Sequence, residues 1–291
     1  MQNLDIPDHP VKSPAINMTR PSPATKWALI TGASSGIGYE LSKILAREGY
    51  NLILVSRNEE ALQKLATELR AKHDVLARVI AKDLAASNSP QEIYSQLHEE
   101  SIAVNVLVNC AGLGLAGKFS ETDLSMELRM IQVNIVALTE LTKLFLKDMV
   151  RRREGRILNV ASTAAFQPGP LMAIYYATKA YVLSFSEAIF EELQGSGVIV
   201  TTLCPGPTKT DFQNRAGLAE SKLFNAKRLL RTDEPGAVAE LGFEGMMHGK
   251  AIVIPGFRNK LLASAVRILP RKLVRKTAKK LHETAYAPMS S

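Results

Sequence analysis

The sequence predicts an α/β fold: a single doubly wound parallel sheet of about seven strands with helices on both faces. Three observations carry this. From Trp27 onward, short apolar runs alternate with amphipathic stretches of helical period, the pattern of repeated βα units. The longest segments have apolar residues at 3.6 spacing, as helices packed on a sheet do. A glycine-rich segment, Thr31 to Gly38, follows the first run where strand gives way to helix.

The predicted strands, in order, are Trp27 to Ile30, Leu52 to Val55, Ala77 to Ala81, Val104 to Val108, Arg156 to Val160, Val198 to Leu203 and Ala251 to Ile254. Between the second and third, Asn58 can cap a helix that carries Glu59 and Glu60 in its first turn. Ser89 followed by Pro90 is a second cap, with proline at the first helical position. Segments of about Asp123 to Arg152 and Met172 to Gln194 have apolar residues at 3.6 spacing and are the two longest helices. Residues 1–26 contain five prolines and no apolar run, and are expected to be a disordered extension in which Met18 is an alternative start. The catalytic-size body is 27–256, and 257–291 form a basic amphipathic tail.

Composition excludes several classes. At 46% hydrophobic and 22% charged residues the 291-residue chain is neither disordered nor fibrous. Cys110 and Cys204 lie far apart with no C-x-x-C pair, which excludes a disulfide scaffold and a cysteine zinc site; a reducing, cytoplasmic compartment is the default. The five histidines have no metal spacing, so no metal is expected. No stretch approaches the roughly 18 to 20 apolar residues of a membrane span. The net charge of +8 is concentrated between Gly245 and His282, which holds ten Lys or Arg and no acid; the rest of the chain is near neutral. That is not the footprint of a nucleic-acid-binding protein.

Thr31-Gly32-Ala33-Ser34-Ser35-Gly36-Ile37-Gly38 is a strand-to-helix turn of the type that lets backbone approach a pyrophosphate and offers it the N-terminus of a helix. It lacks the Gly-Lys-Ser/Thr of a Walker loop, and its spacing differs from G-x-G-x-x-G. The spacing T-G-x-x-x-G-x-G resembles the short-chain dehydrogenase/reductase family, whose fold is a Rossmann-type sheet. The resemblance extends over about Lys26 to Gly256. It implies cofactor contacts from Gly32, Ser34, Ser35, Gly36, Ile37 and Gly38. At the end of the second strand, where an acid would accept the ribose hydroxyls of NAD, this chain has Ser56-Arg57-Asn58. A guanidinium there suits a 2′-phosphate, so the cofactor is expected to be NADP(H). The resemblance further places Asp83 and Leu84 beside the adenine, and Asn109, Ala111 and Gly112, in an Asn-Cys-Ala-Gly element, along the cofactor's path, with Asn109 also stabilising the sheet. Cys110 is read as a buried small residue.

Tyr175 and Lys179 stand at i and i+4, on one helical face. Chance alone would give about 0.4 such pairs in a chain with seven tyrosines, so the neighbourhood decides. Ser162 ends the strand Ile157 to Val160, thirteen residues before Tyr175, as the family's catalytic serine does. Asn134 within Gln132-Val133-Asn134-Ile135 matches its fourth catalytic residue. The resemblance implies that Tyr175 donates a proton, Ser162 orients the substrate oxygen, Lys179 binds the nicotinamide ribose and lowers the Tyr175 pKa, and Asn134 helps to hold a relay water. The loop Cys204 to Thr210 resembles Pro-Gly-x-x-x-Thr, with Pro205, Gly206 and either Thr208 or Thr210 at the nicotinamide.

On the substrate side, a segment of about Asp211 to Arg231 is expected to close over the site. With Leu113, Leu115, Phe166, Met172 and Phe212 it favours a bulky apolar ketone or aldehyde; a 3-oxoacyl thioester or a hydroxysteroid is the alternative. Lys222, Lys227, Arg228 and Arg231 meet an anionic carrier or are solvated. The tail from Lys260 to His282, broken at Pro270, reads as two basic amphipathic helices that pack on the protein, cover the cleft or contact a membrane surface. The family commonly forms dimers or tetramers through its two long helices, and a homo-oligomer is expected here. A reading of another class, a non-catalytic NADP(H)-binding scaffold or sensor at a membrane, would leave the function with the tail.

Overall fold

Seven strands form one parallel sheet in the computed structural model, which describes residues 26–217 and 233–282. They are β1 (Trp27–Thr31), β2 (Asn51–Ser56), β3 (Ala77–Ala81), β4 (Val104–Asn109), β5 (Gly155–Val160), β6 (Val198–Leu203) and β7 (Ile252–Val253). Their order is β3-β2-β1-β4-β5-β6-β7. The chain leaves β1 toward β2 and β3 on one side, then returns to place β4 on the other. Thr31 pairs in register with Val55 on one flank and Asn109 on the other, so the strand ends diverge at a single crevice. A ligand is received at such a reversal of strand order.

Each strand is apolar on both faces because helices cover both. Ala28, Ile30, Leu52, Leu54, Val106 and Val108 pack with α1 (Gly36–Arg47), α2 (Glu59–Lys72) and α8 (Pro235–Met247). Their neighbours in sequence, Leu29, Ile53, Val55 and Leu107, point the other way. These meet α3 (Ser89–Glu99), α5 (Leu138–Arg152) and α6 (Ala173–Glu192). Each such fully buried Leu or Ile contributes roughly 1.5–3 kcal/mol.

Local details depart from the sequence expectations at three places. Asn58 caps α2 as expected, accepting from the Ala61 amide at 3.0 Å. Ser89, however, lies inside α3, where Asn88 holds the cap position; the Ser89 hydroxyl donates to the Asp83 carbonyl at 2.8 Å and ties the helix start to the β3–α3 loop. The expected continuous helix over about 123–152 is α4 (Leu124–Ile131), a six-residue π-turn over Gln132–Ala137, and α5. One extra residue per turn there lets Asn134 face inward without ending the helix. Strand β7, at the sheet edge, keeps only two ladder residues and ends at Val253, two residues before Pro255.

The tail folds as α9 (Phe257–Ile268) and α10 (Arg271–His282), with Leu269 and Pro270 at the elbow. Pro270 cannot continue α9, and its carbonyl accepts from the Val274 amide at 3.2 Å to start α10. A short α7 (Phe212–Arg215) precedes the undescribed residues. The expected disordered extension and residues 218–232, with Lys222, Lys227, Arg228 and Arg231, lie outside the described residues.

Candidate active site

A single cavity of about 920 Å³ runs along the crevice from Arg57 at the end of β2, past the glycine turn, to the inner faces of α9 and α10. The floor is set by Thr31. Its hydroxyl accepts from the amides of Cys110 and Ala111 at 3.0 and 3.1 Å and stands 3.3 Å from the Val108 carbonyl, so the turns after β1 and β4 are fastened to each other. Gly32 has φ +69°, and a Cβ on it would lie 3.0 Å from the Ala111 backbone. A Cβ on Gly38 would lie 2.4 Å from the Gly32 carbonyl oxygen. Only glycine allows this tight fold of backbone at the start of α1.

Gly32, Ser34, Ser35, Gly36 and Ile37 line the cavity; Gly38 does not, because it is buried in the packing of its own turn. Arg57 is exposed at the rim, its guanidinium without a hydrogen bond or ion pair among the described residues. Lys82 stands on the same stretch of wall, paired with Glu92. Asp83 and Leu84 line the wall as well, but the Asp83 carboxylate is engaged by Arg129 and by the Ala85 amide. Ala111, Gly112 and Leu113 continue the wall, whereas Leu115 does not reach it. Asn109 is buried beneath: its amide donates to Thr142 Oγ1 at 3.0 Å and to Asn159 Oδ1 at 2.9 Å. Asn159 donates on to Ser186, so one polar chain joins β4, β5, α5 and α6 inside the core. Asn109 therefore acts on the sheet rather than on a ligand.

Ser162, Tyr175 and Lys179 converge midway along the cavity. Ser162 caps the 3₁₀ turn Thr163–Phe166, its Oγ accepting from the Ala164 amide at 3.1 Å and approaching the Pro205 carbonyl at 3.4 Å. Helical spacing sets Lys179 one turn below Tyr175, with Nζ 5.8 Å from the phenol ring centre and bonded to the Val160 carbonyl at 2.8 Å. Asn134 is buried behind them and does not line the cavity: it accepts from the Leu113 amide at 2.8 Å and donates to the Leu113 carbonyl and Thr178 Oγ1, both at 3.0 Å. Its side chain is thus occupied in joining the turn after β4 to α6.

The electrostatics also differ from expectation. Burial pushes the Tyr175 phenol up to about 12, opposed by a hydrogen bond with Ser162. Burial drives the Lys179 ammonium down to about 8, and its Nζ is tethered to the Val160 carbonyl. Burial likewise raises Cys110 to about 11 and Cys204 to about 12, leaving neither thiol reactive.

Pro205, Gly206, Thr208 and Thr210 form the roof. Thr208 is buried and its hydroxyl is bonded to the Gly206 carbonyl at 3.0 Å, whereas Thr210 lies over the glycine turn, its Cγ2 3.0 Å from where a Cβ on Gly36 would be. Phe212 packs on the Tyr175 ring at 5.3 Å between centres. Two features were missed from sequence, and a third, the tail over the cleft, was one of the alternatives it left open. Arg215 donates to Ser35 Oγ at 3.2 Å, bringing a second cation to the glycine turn. Tyr176, one position off the Tyr175–Lys179 face, shares a 2.7 Å hydrogen bond with His282 Nε2. Leu262, Val266, Leu273 and Leu281 of the tail line the far end together with Phe166 and Met172, so the tail is a wall of the cavity. The four-residue spacing of Val274, Ala278 and His282, all buried, was the available signal for that docking face.

Comparison with known proteins agrees with this geometry. A family model described as short chain dehydrogenase matches residues 26–221. The chain is 37% identical over 214 residues to 17-beta-hydroxysteroid dehydrogenase type 3 of Mus musculus, covering 72% of this chain and 66% of that one. It is 34% identical over 195 residues to very-long-chain 3-oxoacyl-CoA reductase-B of Danio rerio, covering 65% and 61%. The match thus spans less than two thirds of these relatives' lengths. Among solved structures, a short-chain dehydrogenase from Sphingobium yanoikuyae in complex with NADPH superposes with a TM-score of 0.74 at 31% identity, covering 83% of this chain and 94% of that one. With the seven-stranded order, the glycine turn and the Ser162–Tyr175–Lys179 cluster in place, the chain belongs to the short-chain dehydrogenase family.

Proposed function

We propose that the protein is an NADP(H)-dependent oxidoreductase that interconverts a bulky apolar ketone or aldehyde and its alcohol, with Tyr175 as proton donor. The observation that carries this is the convergence of Ser162, Tyr175 and Lys179 in one cavity, between a glycine turn at one end and an apolar chamber at the other. The residues fit a dinucleotide: the tight backbone at Gly32 leaves a cradle that a side chain would fill, with Arg57 free at its rim for a 2′-phosphate. Arg215 adds positive charge beside Ser35, where a diphosphate would lie. The NADPH complex of the Sphingobium relative supports the same preference.

Bound NADP(H) supplies or accepts the hydride. The chain's own residues handle the proton. With its pKa raised to about 12, Tyr175 stays protonated at neutral pH and is in the form needed to donate. An alkoxide is a stronger base than a phenolate, so transfer from Tyr175 Oη to the developing oxyanion runs downhill. Ser162, on the same stretch of cavity wall as the phenol, offers its hydroxyl to the same oxygen. The Lys179 ammonium, held beneath by the Val160 carbonyl, stabilises the negative charge left on Tyr175. The arrangement favours reduction, because oxidation needs the phenolate.

The far end of the cavity is built from leucine, valine, methionine and phenylalanine side chains, which supports an extended apolar substrate over a sugar. The steroid and very-long-chain acyl relatives point the same way, with a hydroxysteroid or a 3-oxoacyl thioester as alternatives. A homo-oligomer through the two long helical segments is supported by Leu124, Met126 and Leu128 on α4, Val150 on α5 and Tyr181 on α6, all exposed. The test is NADPH and NADH oxidation by the purified protein against aromatic ketones, steroids and 3-oxoacyl thioesters, with Tyr175→Phe beside wild type. Turnover should fall by about 10²–10⁴-fold in the variant while NADPH still binds; undiminished turnover in Tyr175→Phe overturns the reading.

A further inference from the structure

The outer surface of the tail has no role in the chemistry above. Helices α9 and α10 carry nine cations, from Arg258 to Lys280, and no acid. Burial sorts the two faces. Asn259, Ala263, Val274, Ala278 and His282 face the protein, while Arg271, Lys272, Arg275 and Lys276 are exposed. At the elbow, where the helices meet, the apolar side chains also turn outward: Ile268 is 87% exposed, and Leu269 is exposed beside Pro270. Phe257 and Leu261, exposed at 79% and 60%, extend this apolar surface along α9. A cationic surface around an apolar tip is unlike the faces of α2 or α5, whose exposed cations are interspersed with glutamates or aspartates.

The same elements border the cavity. Leu262, Leu269 and Leu273 line it and are also solvent-exposed, so they form its rim on the tail side. We propose that the α9–α10 elbow docks on an anionic lipid surface, Ile268 and Leu269 entering the acyl boundary and Arg271, Lys272, Arg275 and Lys276 meeting lipid phosphates and carboxylates, so that the rim of the substrate chamber faces the bilayer. Charge complementarity selects this occupant: the exposed Arg271, Lys272, Arg275 and Lys276 need a polyanion, and the apolar tip needs a hydrocarbon phase, which a nucleic acid does not offer. Amphipathic elements of this kind bury their apolar side some 5–10 Å deep at the headgroup boundary, deep enough for one elbow tip. Docking stands on the surface alone; delivery of an apolar substrate through the rim rests in addition on the substrate class proposed above.

The experiment is flotation of the full chain with vesicles of phosphatidylcholine alone or doped with phosphatidylserine, at low and raised salt. The chain should float only with the doped vesicles, and salt should release it. The exposed triple variant Arg271→Gln, Lys272→Gln, Lys276→Gln should weaken partition by about 100-fold, at roughly tenfold or less per charge. Ile268→Ser should weaken it by about tenfold. NADPH binding, unchanged in both, certifies the fold. Equal flotation with neutral vesicles, no flotation, or variants that float like wild type overturn the docking. With any apolar substrate found active, doped vesicles that hold it should lower KM for wild type and not for the triple variant, at unchanged kcat; equal KM in both overturns delivery and leaves docking standing.

Discussion

Tyr176 and His282 share a 2.7 Å hydrogen bond although 106 residues separate them in the chain. Their rings meet edge to face at 5.5 Å between centres. The contact fastens the last turn of α10 to the helix that carries Tyr175 and Lys179, so the wall of the substrate chamber is pinned one residue from the proton donor.

Tyr176→Phe removes one buried hydrogen bond and should cost about 1 kcal/mol of docking, and more where His282 is left unpaired. Hydrogen exchange over residues 257–282 should rise while that of the sheet is unchanged. The contact is also pH-dependent. Burial holds the His282 imidazole below its ordinary 6.5, so the released tail binds a proton more readily than the docked one. Docking is therefore complete above pH 6.5 and weakens as pH falls below it. Exchange that is flat across that range would sink the expectation.

Lys179 sets a second pH limb. With the lysine at about 8, raising pH through that value removes the charge that stabilises the Tyr175 oxyanion, and ketone reduction should decline. In Lys179→Met that limb should vanish along with most of the rate. The same burial costs stability below pH 8, because the unfolded chain keeps the lysine protonated up to 10.5. That displacement corresponds to about 3 kcal/mol at neutral pH. Lys179→Met should thus be more stable than wild type at pH 7, read by urea unfolding; a less stable variant would show that the Val160 bond outweighs desolvation.

Arg57 and Arg215 should separate in cofactor binding. Arg57→Ala removes a partner that only NADPH can use, so its Kd should rise by about 10–100-fold while that of NADH holds. Arg215→Ala should weaken both nucleotides by a similar factor, since the diphosphate beside Ser35 is common to them. Titration by nucleotide fluorescence reads both. Selective loss of NADPH in Arg215→Ala would place that arginine at the 2′-phosphate instead.

The fold was legible because parallel strands covered on both faces announce themselves as apolar runs, and all seven were located within about two residues of their bounds. The glycine turn and the spacing of Ser162, Tyr175 and Lys179 likewise follow from local backbone rules. What sequence could not show is where side chains spend their hydrogen bonds. Asn134 has the right type in the right place, yet its side chain is taken up by Leu113 and Thr178. Lys179 was expected to tune its neighbour, but burial, which spacing does not encode, acts on both groups. Arg215 reaches the glycine turn by long-range packing for which the local pattern holds no record.

The placement of the tail has a consequence for biosynthesis. Residues 257–282 follow all seven described strands, yet they enclose the chamber whose chemistry lies in α6 and the glycine turn. A nascent chain can assemble its sheet while this wall is still within the ribosome. In that interval it presents an open apolar trough of leucine and phenylalanine to its surroundings. A chain that folds in this order acquires its cofactor cradle before its substrate chamber, and a chaperone or a nearby bilayer would find its opening in between.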